Sequence, residues 1–138
     1  MHVLFSTKSR QKWIPVKMQE SLWAYIVSFC KKDRIIIHAI GGMSDHIHIL
    51  LEHPPTISTD EMVLNIQKKS SQWMKRRVPG FAWQEGYGAC SIGKSEITSL
   101  TEYIRNQEQV HATMTYEQEF IRFLEENQIE YDPEDVFG

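Results

Sequence analysis

The segment Arg34-Ile35-Ile36-Ile37-His38-Ala39-Ile40-Gly41-Gly42-Met43-Ser44-Asp45-His46-Ile47-His48-Ile49-Leu50-Leu51-Glu52 holds two short apolar runs on either side of a glycine pair. Arg34 to Ile40 is continuous and β-branched, which suits a pleated, half-buried strand. Gly41-Gly42 breaks it, and Asp45 to Glu52 alternates, so the two runs are expected to pair as an antiparallel hairpin. Pro54-Pro55 ends the second run. Upstream, His2-Val3-Leu4-Phe5-Ser6-Thr7 reads as a further strand, closed by the basic polar loop Lys8-Ser9-Arg10-Gln11-Lys12. Pro15 suits the first turn of a helix, and Leu22, Tyr25, Ile26 and Phe29 recur at helical spacing, which predicts a helix over about 16–32.

Downstream, Thr59-Asp60-Glu61 supplies a helix start, and Met62, Ile66 and Trp73 mark the buried stripe of a helix reaching about Arg77, where Pro79-Gly80 stops it. Residues 81–87 read as a loop and 88–93 as a short strand. Ser95 then opens a helix running through Leu100, Tyr103 and Ile104 toward His111, and a last helix from about Tyr116 to Asn127 packs through Phe120, Phe123 and Leu124. The order strand, helix, strand, strand, helix, strand, helix, helix predicts an α+β, ferredoxin-like (split βαβ) fold. Its four-stranded antiparallel sheet would carry helices on one face, with an additional C-terminal helix. There is no internal repeat and no low-complexity segment.

With 138 residues, 41% hydrophobic and 24% charged, the composition is that of a single globular domain. Its apolar runs are too short to span a bilayer and no signal peptide is recognisable, so no membrane association and a cytoplasmic location are expected. Cys30 and Cys90 read as reduced, buried small hydrophobes. The net charge of −3 conceals a division along the chain. Residues 113–138 hold one basic and eight acidic side chains, whereas residues 1–112 hold fourteen basic and ten acidic. The expectation is a basic catalytic domain over 1–112, followed by an acidic C-terminal helix and tail (113–138) packed on the same domain. The tail is either a solvated face or a cover for a phosphate-binding surface.

Strand alternation sets His46 and His48 on one face, while Ile47 and Ile49 point the opposite way into the core. Two neutral imidazoles about 7 Å apart along a strand can converge on one cation, although such a pair alone is as readily structural. Asp45 reads either as a turn residue or as a carboxylate that orients one of the rings. Tyr103 and Gln107, one helical turn apart, share a helix face, and Gln107 offers a neutral carbonyl oxygen as a ligand. Two imidazoles and an amide oxygen suit Mg²⁺ or Mn²⁺ with open positions. A closed zinc site would call for thiolates that the two cysteines are not spaced to supply.

Several stretches together resemble the single-tyrosine HUH transposases of small insertion sequences and their relatives, the REP-associated tyrosine transposases. These are His2-Val3-Leu4-Phe5-Ser6-Thr7-Lys8, Asp45-His46-Ile47-His48-Ile49-Leu50, Lys69-Ser70-Ser71, Trp83-Gln84-Glu85-Gly86-Tyr87-Gly88-Ala89 and Tyr103-Ile104-Arg105-Asn106-Gln107, in the family's order. The resemblance implies that His46, His48 and Gln107 hold a divalent metal ion, Mg²⁺ or Mn²⁺, and that Tyr103 is the nucleophile. It further implies a DNA transposase that cleaves and rejoins single-stranded, hairpin-forming DNA through a 5′-phosphotyrosine. A homodimer is implied as well, since members of the family commonly work as dimers in which the tyrosine helix of one subunit completes the metal site of the other, while some act as monomers. On that footing the expected DNA contacts are Lys8, Arg10 and Lys12 in the first loop and Lys68, Lys69, Lys75, Arg76 and Arg77 on the second long helix. Cys90 departs from the family, which commonly has an aromatic residue there. The competing readings are a domesticated repeat-binding nuclease, a non-catalytic nucleic-acid-binding ferredoxin-like module and a simple metal-dependent hydrolase.

Overall fold

Alternation along two neighbouring strands sorts the side chains of this protein into a dry face and a polar face. The computed structural model describes residues 1–137, so the last residue of the acidic tail lies outside it. Strand β1 (His2–Ser6) pairs antiparallel with β3 (His46–Glu52), setting Val3 opposite Ile49 and Phe5 opposite Ile47. These residues enter one core with Leu51, with Leu22, Ile26, Phe29 and Cys30 of helix α1 (Val16–Lys32), and with Met62, Val63, Ile66 and Met74 of helix α2 (Thr59–Lys75). The intervening residues His2, Leu4, His46, His48 and Leu50 therefore lie on the other face.

Strand β2 (Ile36–Met43) pairs with the outer edge of β3, and β4 (Gly88–Cys90) with the outer edge of β1, all antiparallel. The sheet order is β2-β3-β1-β4. That is the split-βαβ arrangement, with α1 and α2 together on one face. The second face is covered by α3 (Ile97–Arg105), whose Ile97, Leu100 and Ile104 meet Ala39 and Leu50. Helix α5 (Tyr116–Glu126) completes the cover, its Tyr116, Phe123 and Leu124 packing with Leu4. Helix starts follow local chemistry: the Ser58 hydroxyl caps α2 by accepting from the Glu61 N–H at 3.1 Å, and Thr115 with Gln118 forms a capping box on α5.

Two local expectations change. Gly41-Gly42 does not interrupt the strand. Pairing continues through Gly41 opposite His48 to Met43 opposite His46, and the turn falls at Ser44-Asp45. The glycines serve close packing instead: a Cβ on Gly41 would come within 2.5 Å of the Ile104 carbonyl oxygen, so their absence lets α3 lie directly on β2. Nor does the tyrosine helix run unbroken to His111. Asn106 leaves helical geometry (φ −102°, ψ 29°) and a separate one-turn helix, α4 (Gln107–Val110), follows.

Gly41→Ala is accordingly expected to destabilise the fold by about 1–3 kcal/mol through overpacking of α3 on β2. The measurement is urea unfolding, and an unchanged midpoint would contradict the close approach. Burial, with Asp33 adding to it, pushes the Cys30 thiol up to about 12. Cys30 is thus expected to stay unmodified by iodoacetamide at pH 8 until the protein is unfolded, as read by peptide mapping. Rapid native-state alkylation at that residue would count against the buried α1 face.

Candidate active site

Three strands and helices deliver polar groups to one buried place on the second face. From β3 come His46 and His48, with 0% and 1% of their surfaces exposed and ring centroids 5.1 Å apart. From α4 comes Gln107, and from α5 comes Glu119, both buried as well. The Glu119 carboxylate lies at the centre: its Oε1 is 3.1 Å from His48 Nε2, 3.4 Å from His46 Nε2 and 2.9 Å from His111 Nε2. Its Oε2 accepts from the Tyr103 hydroxyl and, at 3.3 Å, from Gln107 Nε2. The break at Asn106 does not separate the tyrosine from the glutamine, since Gln107 Nε2 also donates to the Tyr103 carbonyl at 3.2 Å.

Each group is held from behind. The Asp45 carboxylate takes His46 Nδ1 at 2.7 Å, while Tyr116 stacks on the His46 ring at 4.6 Å. His48 Nδ1 meets His2 Nε2 at 2.9 Å, and the Met114 carbonyl holds His111 Nδ1 at 2.7 Å. Asp45 thus has both roles open to it, turn residue and ring-orienting carboxylate.

The electrostatics follow from burial and neighbours. Burial lowers the His48 pKa despite the opposing pull of Glu119, and it lowers His2 to about 3, so both imidazoles are neutral near pH 7. Burial by itself would raise Glu119, but hydrogen bonds from His111 and His48 outweigh it and keep the carboxylate ionised. His111 moves the other way, its burial outweighed by Glu119, and rises. Burial first, and Glu119 second, push the Tyr103 phenol well above its ordinary value.

The donor chemistry fits a divalent cation. With the Nδ1 proton of His46 committed to Asp45, the Nε2 lone pair faces Gln107 Oε1 at 2.8 Å and Glu119 Oε1. Acceptors turned toward one point call for a cation between them. His46, His48 and Glu119 each bring one ligand atom, all within 4.8 Å of one another, and Gln107 Oε1 adds a fourth. Imidazole, carboxylate and amide oxygen without thiolate match Mg²⁺ or Mn²⁺ better than a closed zinc site.

A cleft of about 400 Å³ opens beside the cluster, lined among others by His2, His48, Tyr103, Glu119, Arg122 and Phe123. Such a volume falls in the range of binding sites, roughly 300–1,000 Å³. The candidate phosphate contacts are scattered by comparison. Arg10 donates to the Phe137 carbonyl at 2.9 Å and covers the Phe137 ring. Exposed Lys8 stands beside it in the first loop. Lys68, Lys69, Arg76 and Arg77 follow α2, on the face of the sheet away from the histidines; Lys69 pairs with Asp33 at 3.2 Å and Arg77 lies on the Trp73 ring. Trp83 packs the loop, donating to Ser70 Oγ at 2.9 Å, and Tyr87 hydrogen-bonds Asp60.

Glu119 and His2 are the participants that the sequence does not single out, whereas His111 reads from sequence either as a further member of the site or as a helix-end histidine, and its 2.9 Å approach to Glu119 brings it into the site. Glu119 had a signal, since Tyr116, Glu119 and Phe123 follow the buried stripe of α5, and a carboxylate on such a stripe needs partners. His111 follows Gln107 at helical spacing. His2 shares the alternation of β1, but only the strand register carries it to His48.

The pattern of the family described as Transposase IS200 like matches residues 1–107, more than three-quarters of the chain. The transposases for insertion sequence element IS200 of Salmonella typhimurium and Salmonella typhi are each 26% identical over 115 residues, covering 77% of this chain and 74% of theirs. A crystal structure of a putative transposase from Deinococcus radiodurans R1 superposes with a TM-score of 0.60 at 19% identity, covering 77% of this chain and 88% of that one, and so shares the fold. With a family match that takes in β1, both histidines, Tyr103 and Gln107, this chain belongs to the IS200-like transposases.

Proposed function

We propose that this transposase cleaves and rejoins single-stranded DNA with Tyr103 as nucleophile, at a divalent cation held by His46, His48, Gln107 and Glu119. The observation that carries the reading is the convergence, within one chain, of the Tyr103 hydroxyl, two imidazoles and the Gln107 amide nitrogen on a single buried carboxylate. Bound there, Mg²⁺ or Mn²⁺ would supply Lewis-acid neutralisation of charge on the scissile phosphate.

The residues do the rest. Tyr103 Oη attacks phosphorus and the P–O3′ bond breaks: the upstream strand leaves, its O3′ taking a proton from solvent to become a free 3′-OH, while the downstream strand stays joined to the tyrosine through its 5′ phosphate. A phenol held neutral by burial must lose its proton as it attacks. Glu119 Oε2 already accepts the hydrogen bond from that hydroxyl and is the acceptor at hand. In rejoining, a 3′-OH gives its proton to solvent as it attacks the phosphotyrosine, the P–Oη bond breaks, and the proton returns from Glu119 to Tyr103 Oη. The bond energy is retained throughout, so strand transfer needs no nucleotide hydrolysis.

The DNA would enter through the cleft beside Tyr103, and the duplex arm of a hairpin would reach the basic residues of the first loop and α2, which is where we place the roles of Lys8, Arg10, Lys68, Lys69, Arg76 and Arg77. In this reading residues 1–112 form the catalytic domain and the C-terminal helix lends it Glu119. Since the donors and the tyrosine come from one chain, a homodimer would pair two self-contained sites. No helix among the described residues is long and apolar enough to cross a membrane, and a DNA substrate favours the cytoplasm.

Labelled single-stranded hairpin DNA incubated with the protein and Mn²⁺ is expected to yield a covalent protein–DNA band on a denaturing gel, and Tyr103→Phe is expected to lose it. An undiminished band in that variant would overturn the assignment. Replacing both His46 and His48 by Ala should abolish saturable Mn²⁺ binding in calorimetry together with cleavage. For Glu119→Gln, which keeps the shape but loses the proton acceptor, the expected drop in the single-turnover cleavage rate is about 10²–10⁴-fold; a rate equal to that of the unaltered protein would remove Glu119 from the chemistry.

A further inference from the structure

The two histidines of the site are supported by unlike partners. Behind His46 stands Asp45, a carboxylate that can only accept, which fixes His46 with its proton on Nδ1 and its lone pair on Nε2. Behind His48 stands His2, with His2 Nε2 and His48 Nδ1 2.9 Å apart. The two rings meet edge to edge along that bond, with centroids 5.2 Å apart and planes 19° from parallel, and the edge of Phe123 closes the far side of His2. Only 6% of His2 is exposed, so its polar atoms are placed there at a cost that a hydrogen bond must offset. A carboxylate behind both rings would have been the simpler design.

The difference has a consequence for protons. While His48 Nε2 faces the Glu119 carboxylate at 3.1 Å, that nitrogen carries the proton, and the bare Nδ1 of neutral His48 must accept from His2 Nε2–H. Once the Nε2 lone pair is given to a cation, the proton must sit on Nδ1, which then donates and needs an acceptor. A carboxylate in place of His2 would serve only the second state and a fixed donor only the first. An imidazole serves both, because it can move its proton between its own nitrogens.

We propose that His2 is a positioning residue for His48 whose hydrogen bond reverses direction between the metal-free and metal-bound protein, holding the ring in line in both. The exchange balances. The His2 Nε2 proton passes to His48 Nδ1, the His48 Nε2 proton leaves to solvent, and His2 Nδ1 takes up one proton from solvent, so the pair remains neutral. His2 touches neither the cation nor the phosphate in this scheme. The inference rests on the reading of His48 as a ligand.

The experiment compares Mn²⁺ affinity by calorimetry on the full chain in the unaltered protein, His2→Phe, His2→Gln and a His46→Ala, His48→Ala double variant. His2→Phe keeps an aromatic ring beside His48 but can neither donate nor accept, and is expected to weaken binding about 10–100-fold. His2→Gln, whose amide can turn to offer either its oxygen or its nitrogen, should recover most of that loss. A purely structural role would not be rescued by the smaller, non-aromatic glutamine. In parallel, ¹⁵N spectra of the unaltered protein titrated with Mg²⁺ should show His2 passing from the Nε2–H to the Nδ1–H tautomer and His48 likewise. Unchanged affinity in His2→Phe, with binding still lost in the double variant, would overturn the inference and leave the site reading intact. Wild-type binding in the double variant would overturn the site reading itself. Should His2→Phe fail to fold, the tautomer measurement decides, and spectra that do not change on Mg²⁺ binding refute the reversal.

Discussion

A single buried carboxylate organises the second face of the sheet. Glu119 sits with its oxygens between three imidazoles, an amide and a phenol, and a charge so placed is tolerable only while those partners are there. Removing the imidazoles would strand the charge; removing the charge would leave several donors facing each other in a dry site. The positions of β3, α3, α4 and α5 are therefore coupled through their polar ends as well as through their apolar packing. Gly41 shows the packing side of that coupling, since only a missing side chain allows α3 close enough to β2 to bring Tyr103 to the histidines.

The two faces of the sheet divide the labour. On one, α1 and α2 seal a continuous aliphatic core against Val3, Phe5, Ile47, Ile49 and Leu51, and that face supplies rigidity. On the other, apolar contacts are split into two smaller clusters around Leu4 and Leu50, leaving the polar cluster between them. This split lets a cleft open beside Tyr103 without exposing the main core. It also explains how an acidic C-terminal helix sits on the basic body formed by residues 1–112: its charges face solvent, apart from the one carboxylate that it lends to the polar cluster.

Much of this was legible in the sequence because it rests on local periodicity. Alternation of period two places His46 and His48 together and Ile47 and Ile49 in the core, and helical periodicity marks α1, α2 and α5. Glycine chemistry misleads at Gly41-Gly42, where the usual turn signal reflects a close approach by a helix distant in sequence. The break at Asn106 is equally invisible to periodicity, since Tyr103 and Gln107 keep their proximity through a hydrogen bond from the Gln107 side-chain amide to the Tyr103 carbonyl across it. Glu119 and His2 depend on tertiary register: the family match ends at residue 107, before Glu119, and His2 is two pairs along the strand ladder from its partner's own register. Long-range polar networks of this kind leave little trace in spacing alone.

In the proposed reaction DNA becomes joined to one particular oxygen of this chain. Mass spectrometry of the protease-digested covalent complex, formed on single-stranded DNA with Mn²⁺, reads that oxygen directly. The expected spectrum contains a peptide carrying a nucleotide 5′ phosphate on Tyr103, with the released strand ending in a 3′-OH. A nucleotide found on Tyr87, Tyr116 or any other side chain, or cleavage with no covalent species at any time, would contradict the account.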